Sequence, residues 1–275
     1  MAQTFFTIDC KTNLHVGSGK ANYGVIDQLV QRDPTYQYPS IHASSLKGGI
    51  KEYCHHRNFG HMKQVFGSAK LTNGKTNHDD SQVGEYKFFD AMLLCIPVRC
   101  DKRAFIHITC PSIIDYLNDA LPSNHALQND LTNLRNIFGS NDTNKAYCFT
   151  NDLHGATVED FDIHATFDAT KVSLNTPGIQ ALFGCEFVVL QNDLFDRLTN
   201  DLHLPVIARN HLENGESQNL WYEQVVPRLS RFWSMGIHPE SDVLFIPELF
   251  AENTLVQIGA NGSVGYGYCS FTQFN

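Results

Sequence analysis

The sequence predicts an α+β protein, and three observations carry that reading. Strand-like and helix-like segments alternate irregularly, without the even rhythm of a doubly wound sheet. Long polar stretches, above all residues 68–87, interrupt them. The chain has 275 residues, 42% of them hydrophobic and 18% charged, so it can bury a core without disulfides or a structural metal. That length allows one large domain or two small ones. No internal repeat or low-complexity tract divides it.

Residues 4–10 read as a strand with Phe6, Ile8 and Cys10 on one face. A loop with Gly17, Gly19 and Gly24 follows. Ser44 reads as the N-cap of a helix over 45–56, with Leu46, Ile50 and Tyr53 on its core side. Lys47 and Lys51, four apart, share another face of that helix. Residues 68–87, rich in Asn, Asp, Lys and Gly, read as a long loop or insertion that need not be ordered. Strands follow at 88–98 and 103–109; the first is an apolar run suited to a buried central position, with Pro97 near its end. Helices are predicted near 111–120, 125–137 and 193–201. Beyond Pro205 the segment 206–234 is mixed and aromatic, with Gly215 at a turn. A strand at 254–258, a glycine-rich loop and a strand at 266–271 close the chain.

The net charge of −9 hides an asymmetry. Residues 1–70 carry eight Lys and Arg against four Asp and Glu, a net of +4, together with five of the 13 histidines. Residues 71–275 carry twelve against twenty-five, a net of −13. A basic third on an acidic body suits one anionic ligand on one face and suits nonspecific DNA coating poorly. The eight cysteines form no Cys-x-x-Cys pair, so neither a zinc ribbon nor a disulfide framework is written here. Cys54, His55, His56 and His61 come nearest to a metal cluster, but neighbours on a helix point in different directions. The N-terminus lacks a basic n-region, and no stretch approaches the roughly 18 apolar residues of a membrane span, which points to a soluble cytoplasmic protein.

Two glycine motifs invite misreading. Gly17-Ser18-Gly19-Lys20 resembles a phosphate loop, but Leu14 and Ala21 stand where a Walker A motif needs Gly and Ser or Thr. Gly259-Ala260-Asn261-Gly262-Ser263-Val264-Gly265-Tyr266-Gly267 follows a strand yet lacks the order and the βαβ setting of a dinucleotide fold. Its four glycines either let a backbone approach an anion or simply form a loop between strands. No metalloprotease helix, nucleophile elbow or EF-hand loop is present.

Several blocks together go further. Leu14-His15-Val16-Gly17-Ser18-Gly19, Tyr23-Gly24-Val25-Ile26-Asp27 through Pro34, and Pro39-Ser40-Ile41-His42-Ala43-Ser44-Ser45-Leu46-Lys47-Gly48 resemble the N-terminal signature of the RAMP superfamily. More narrowly, the sequence is similar to the backbone subunits of type III-B CRISPR (Cmr) effector complexes. Phe89-Asp90-Ala91, Pro205-Val206-Ile207-Ala208-Arg209-Asn210, Leu220-Trp221-Tyr222-Glu223-Gln224 and the terminal glycine loop fit the same family, so the likeness runs from residue 14 to 267. Two blocks depart from the pattern: Ser40 and His42-Ala43 stand where a Pro-x-Ile-Pro-Gly run is common, and Gln224 replaces a second acid.

The resemblance implies a single domain over 1–275 with an RRM-like (ferredoxin-like) palm, a thumb hairpin at about 206–234 and finger-like insertions at about 60–87 and 139–165. It implies a metal-dependent endoribonuclease that polymerises along a guide CRISPR RNA with other copies of itself and other Cmr subunits. Single-stranded target RNA would be cut beside each thumb, by attack of its own 2′-hydroxyl, leaving a cyclic phosphate. By the same resemblance Asp27 is the catalytic acid and the metal ligand, with Mg²⁺ or Mn²⁺ completed by RNA phosphates. His15 either positions the phosphate or is a satisfied strand-end histidine. Glu223 is a further catalytic candidate. Ser44, Ser45 and Lys47 form a phosphate contact at a helix start, with Arg57, Arg209, Gly259, Gly262, Gly265 and Gly267 as further RNA contacts. The alternatives are a non-catalytic RNA-binding scaffold and a stand-alone guide-processing endonuclease.

Overall fold

The run Thr4-Phe5-Phe6-Thr7-Ile8 makes a strand that buries both of its faces. On one face Phe6 meets the rings of Phe245 and Phe271 at 5.8 and 5.7 Å. On the other, Phe5 meets Phe274 and His125 at 6.1 and 5.9 Å. In the computed structural model, which describes residues 1–19, 24–72, 75–139, 142, 145–161, 163–242 and 245–274, this strand is the axis of the fold. Lys20 and Tyr23, each part of a sequence motif, lie outside the described residues.

The elements run β1 (Ala2–Cys10), β2 (Ser40–Ile41), α1 (Ala43–His56), α2 (Met62–Phe66), β3 (Gly67–Thr72), β4 (Lys75–Val83), β5 (Lys87–Phe88), β6 (Ala91–Val98) and β7 (Ile106–Thr109). Then come α3 (Pro111–Ala120), α4 (Gln128–Arg135), β8 (Ala146–Cys148), β9 (Ala165–Phe167), α5 (Pro177–Phe183), β10 (Phe187–Leu190) and α6 (Asn192–Thr199). The chain ends with β11 (Val206–Glu213), β12 (Glu216–Gln224), β13 (Arg231–His238), β14 (Val256–Gln257) and β15 (Tyr268–Phe274). The α+β expectation holds, around one mixed sheet of 11 strands ordered β14-β15-β1-β13-β6-β7-β10-β8-β9, with β2 on β6 and β5 on β13. In the middle, β15-β1-β13-β6 are antiparallel at every step, and α1 lies in the connection from β1 to β6. Asp9 and Arg231 face each other across β1 and β13 and pair at 3.1 Å.

Three expectations need correction. Ser44 is not the N-cap of α1. His42 caps it, its Nδ1 accepting from the Ser44 amide, while the Asp90 carboxylate accepts from the Ala43 amide at 2.6 Å. With the helix beginning two residues early, Cys54 rather than Tyr53 completes the buried stripe with Leu46 and Ile50. Residues 68–87 are not simply a loop: β3 and β4 pair as a two-stranded ribbon whose polar sequence gave no alternation to read. The exposed hairpin ends at Gln224, and residues 231–234 of the presumed thumb belong to β13, a central strand with Phe232, Trp233 and Ser234 buried.

The hairpin itself follows from Asn214-Gly215. Both residues have positive φ, 50° and 85°, as a tight two-residue turn between twisted strands requires. Most of the described side chains of β11 and β12 are exposed, up to the buried Glu223 and Gln224.

Packing of β13 against the 245–250 segment depends on a missing side chain. A Cβ on Gly236 would lie 2.2 Å from the Phe245 ring, which is fully buried and stacked on Phe6. Gly236→Ala should therefore destabilise the fold by about 1–3 kcal/mol through overpacking. A urea melt checks this; an unchanged midpoint would show that Phe245 moves aside freely.

Candidate nucleic-acid interface

At the base of the hairpin, the exposed arm becomes buried core within two residues. Glu223 is 3% exposed and Gln224 fully buried. A buried carboxylate is costly unless donors surround it, and Glu223 has three contacts. Arg209, across the hairpin, lies 3.2 Å from Oε2, and the Asn261 amide donates to both oxygens at 3.0 Å. The Arg209 guanidinium sits 5.8 Å from the Trp221 ring and 5.7 Å from the Tyr266 ring. Asn261 reaches Glu223 from a left-handed conformation, φ 63°, which Asn tolerates better than other residues with a Cβ.

Gln224 uses both ends of its amide. Oε1 accepts from the Val30 amide at 3.2 Å and Nε2 donates to the Asp201 carbonyl at 3.0 Å. Its backbone carbonyl lies 2.7 Å from His15 Nδ1. A carbonyl can only accept, so His15 Nδ1 is the donor in this bond. His15 is 3% exposed, and the ring lies beside Gly17.

Asp27 differs from both. It is exposed on the loop before Val30, which runs along β12. Its Oδ2 accepts from the Tyr222 amide at 2.7 Å, and the Tyr222 carbonyl accepts from the amides of Asp27 and Gln28, both at 3.1 Å. The hairpin backbone thus fixes the position of this carboxylate.

Much of the glycine loop's composition answers to packing. A Cβ on Gly259 would lie 2.3 Å from the His15 carbonyl, and one on Gly267 would lie 1.9 Å from the Ile258 carbonyl. Gly262 abuts the Gln257 side chain, whose amide nitrogen lies within 3.5 Å of the carbonyls of Ile258, Gly259, Ala260 and Tyr266. Gly265, at φ +86°, has nothing within 4 Å of a Cβ position and is the glycine that borders open space.

The structure therefore brings His15, Asp27, Arg209, Glu223 and the glycine loop together. Ser44, Ser45 and Lys47 occupy a separate site at the start of α1, where the amides of residues 43–46 are already bonded within the protein. Burial, and then the nearby ammoniums of Lys51 and Lys87, push the Lys47 amine below its usual range. Among the described residues none of these three lysines has a carboxylate within 4 Å. Arg57, at the far end of α1, lies over the Tyr53 ring at 5.6 Å. A cavity of about 510 Å³ beyond the other side of the hairpin base, lined by Ile96, Phe105, Leu198 and Pro205 among others, holds none of the predicted residues.

For a metal, Asp27 offers one carboxylate already engaged at Oδ2. Such a donor set fits an ion shared with phosphates better than a resident metal centre. Among the described residues the one cluster of three metal-type ligands is Glu52, His55 and His56, exposed on α1. Cys54 faces the core, where burial pushes its thiol up to about 12.

Two residues that hold the site together, Gln224 and Asn261, have no role that the sequence alone predicts. Gln224 stood out only as a departure from an acid. Asn261 sat inside a motif read for its glycines, although Asn beside Gly is itself a signal for left-handed backbone.

The RAMP superfamily model matches residues 7–270. The chain is 25% identical over 95% of its length, and 92% of the relative's, to the CRISPR system Cmr endoribonuclease Cmr4 of Pyrococcus furiosus. It is 31% identical over 44% of its length, and 39% of the relative's, to the CMR subunit Cmr4 of Saccharolobus solfataricus. Its fold is similar to a chain of the type III-B Cmr-beta complex in the apo state (TM-score 0.77, 24% identity, 99% and 97% of the two chains). A second likeness is to oligomeric Cmr4 from P. furiosus (TM-score 0.68, 18% identity, 100% and 99%). Among the described residues, no helix is long and apolar enough to cross a membrane.

The two-ended bonding of Gln224 is testable. In Gln224→Glu a buried carboxylate faces the Asp201 carbonyl with no proton to donate, at a cost of about 3 kcal/mol at pH 7. Burial raises the pKa of the new carboxyl in the folded state, so the deficit should shrink as pH falls and the group protonates. Denaturation midpoints at pH 5 and pH 7 measure this; equal deficits would mean the carboxylate finds another donor.

Proposed function

The chain belongs to the RAMP superfamily, and on that footing we propose that it is the guide-RNA-binding backbone subunit of a type III-B CRISPR complex. In this reading it cuts complementary target RNA as part of a cytoplasmic antiviral defence. The observation that carries the reading is Asp27: an exposed carboxylate held by the backbone at the foot of a solvent-facing arm. A relative over 95% of the chain named as a Cmr endoribonuclease supports it, as does the Cmr-beta structure bound to cognate target RNA, of similar fold.

The β15-β1-β13-β6 order, antiparallel throughout with α1 between the first and second strands in sequence, supports the ferredoxin-like palm. The β11–β12 arm is the thumb, and the β3–β4 ribbon is a finger-like insertion. Copies of the chain line the guide RNA, alongside other subunits of the complex, and each thumb kinks the guide–target duplex. The target's 2′-oxygen then attacks the adjacent phosphorus, the bond to the 5′-oxygen breaks, and a cyclic phosphate and a 5′-hydroxyl result. The protein's part is mainly positioning, which can supply much of the rate in an intramolecular step. A divalent ion, Mg²⁺ or Mn²⁺, held by Asp27 together with RNA phosphates, would neutralise charge developing there.

Catalysis is assigned to Asp27 alone. Glu223 and His15, both buried and bonded inside the protein, are positioning residues that tie the thumb and the glycine loop to the sheet. Lys47 contacts guide phosphate through its side chain, since the α1 amides beside it are already bonded.

Asp27→Ala should abolish target cutting while leaving assembly on guide RNA intact, because it removes a negative charge from beside phosphates. Gel analysis of a guide-complementary RNA reads this directly. Cutting near the natural rate would overturn the assignment of Asp27. Replacing the ribose 5′ to one cut site by deoxyribose should silence that site alone; continued cleavage there, with a 5′-phosphate product, would point to water as the nucleophile.

A further inference from the structure

A cavity of about 320 Å³ lies among β5, β6, β13 and α3, away from the hairpin base. That volume is within the range of small-ligand clefts, about 300–1,000 Å³. Phe88, Phe89, Tyr116 and Trp233 wall it, with Met92 and Met235 among them and Asp33 and Asp90 at its lining. The rings continue outward: Tyr116 lies 5.6 Å from Trp233, and the exposed Tyr36 lies 5.8 Å from Tyr116. Neither Asp33 nor Asp90 has a cationic side chain within 4 Å among the described residues. Both carboxylates are felt at the Tyr116 hydroxyl, whose pKa is raised first by burial and then by Asp33 and Asp90.

The surroundings have the opposite sign. Lys47 lies over the Phe88 ring at 5.6 Å, and Lys51 and Lys87 are close enough to depress its amine. Among the described residues, three lysines without acidic partners therefore cluster behind the Phe88 wall of an aromatic cavity that contains two acids without basic partners. A cationic side chain from another protein would find the carboxylates but be repelled by the lysines. A nucleotide meets both halves: its phosphate suits the ammoniums, its ring stacks on the aromatics, and an exocyclic amino group donates to a carboxylate.

We infer that this cavity is a base-binding pocket for single-stranded RNA, taking an amino-bearing base while Lys47, Lys51 and Lys87 hold the neighbouring phosphates. The inference rests on the RNA-binding reading above and deepens it: it adds base preference at a site remote from Asp27. Cytosine and uracil separate the contributions, because cytosine presents an amino donor where uracil presents a carbonyl.

The test is binding of the full chain to short single-stranded oligocytidylate and oligouridylate of equal length. Oligocytidylate should bind at least threefold more tightly. The Asp33→Asn, Asp90→Asn double variant, in which Asn at 90 still offers an oxygen to the α1 cap, should lose that preference. Tyr116→Ala should weaken binding of both oligomers, and Lys51→Ala with Lys87→Ala should weaken both equally and flatten the salt dependence. Circular dichroism melts establish that each variant is folded. Equal affinities in the natural chain, or a preference that survives the double variant, would overturn the inference while leaving the RNA-binding reading intact. A double variant that keeps its preference but loses self-association would mark the cavity as a protein-docking site. Failure of the natural chain to bind either oligomer would overturn both readings together.

Discussion

The candidate site depends on burying one charge. Glu223 ends an exposed arm inside the protein, where a carboxylate is tolerated only if it is surrounded by donors. Arg209 comes from the opposite strand of the arm and Asn261 from the loop between β14 and β15. The pairing therefore joins two segments that share no sheet. Gln224 extends the same logic by one residue, linking Val30, Asp201 and His15 through a single side chain and its carbonyl. Removing one partner from such a network leaves the others unsatisfied, which costs more than the bond itself is worth. The loop that carries Asp27 takes its register from the stretch of β12 that these bonds secure.

Much of the fold could be read from the chain. The apolar run of β6, the alternation of β1, the stripe of α1 and the Asn214-Gly215 turn each carry a local signal that tertiary structure respected. What escaped was short or shaped by distant neighbours. β10 is a four-residue apolar run, Phe187–Leu190, too brief to tell from a buried piece of helix. α5 did carry cap signals, Thr176 before Pro177 and Gly184 after Phe183, but spans only seven residues. The start of α1 moved because Asp90, forty-seven residues away, accepts from its first amide. No local pattern encodes that bond.

The site was legible in a different way. The residues that gather at the hairpin base, His15, Asp27, Arg209, Glu223 and the glycines, were named through family resemblance, and nothing in their spacing predicts that they meet. What resemblance left undivided is their environment. Asp27 is exposed, whereas His15 and Glu223 are enclosed, and that contrast separates a group able to touch a ligand from groups that hold the scaffold. The glycine loop shows the same limit: Gly259 and Gly267 are required by backbone contacts with residues 15 and 258, which a reading centred on anion binding does not anticipate.

The arm also has a consequence for how such a chain can change. It leaves the body between Pro205 and Pro227, its strands are exposed from Asn210 to Leu220 wherever their side chains are described, and its anchoring lies in Arg209, Glu223 and Gln224. Substitutions, insertions or deletions of paired residues toward the Asn214-Gly215 tip alter length and surface chemistry without reaching the core. The foot of the arm has no such freedom, because a shift of one residue would turn the buried pair out to solvent. The molecule is thus divided into a part where variation is cheap and a part where it is forbidden, and the border between them is a single step along one strand.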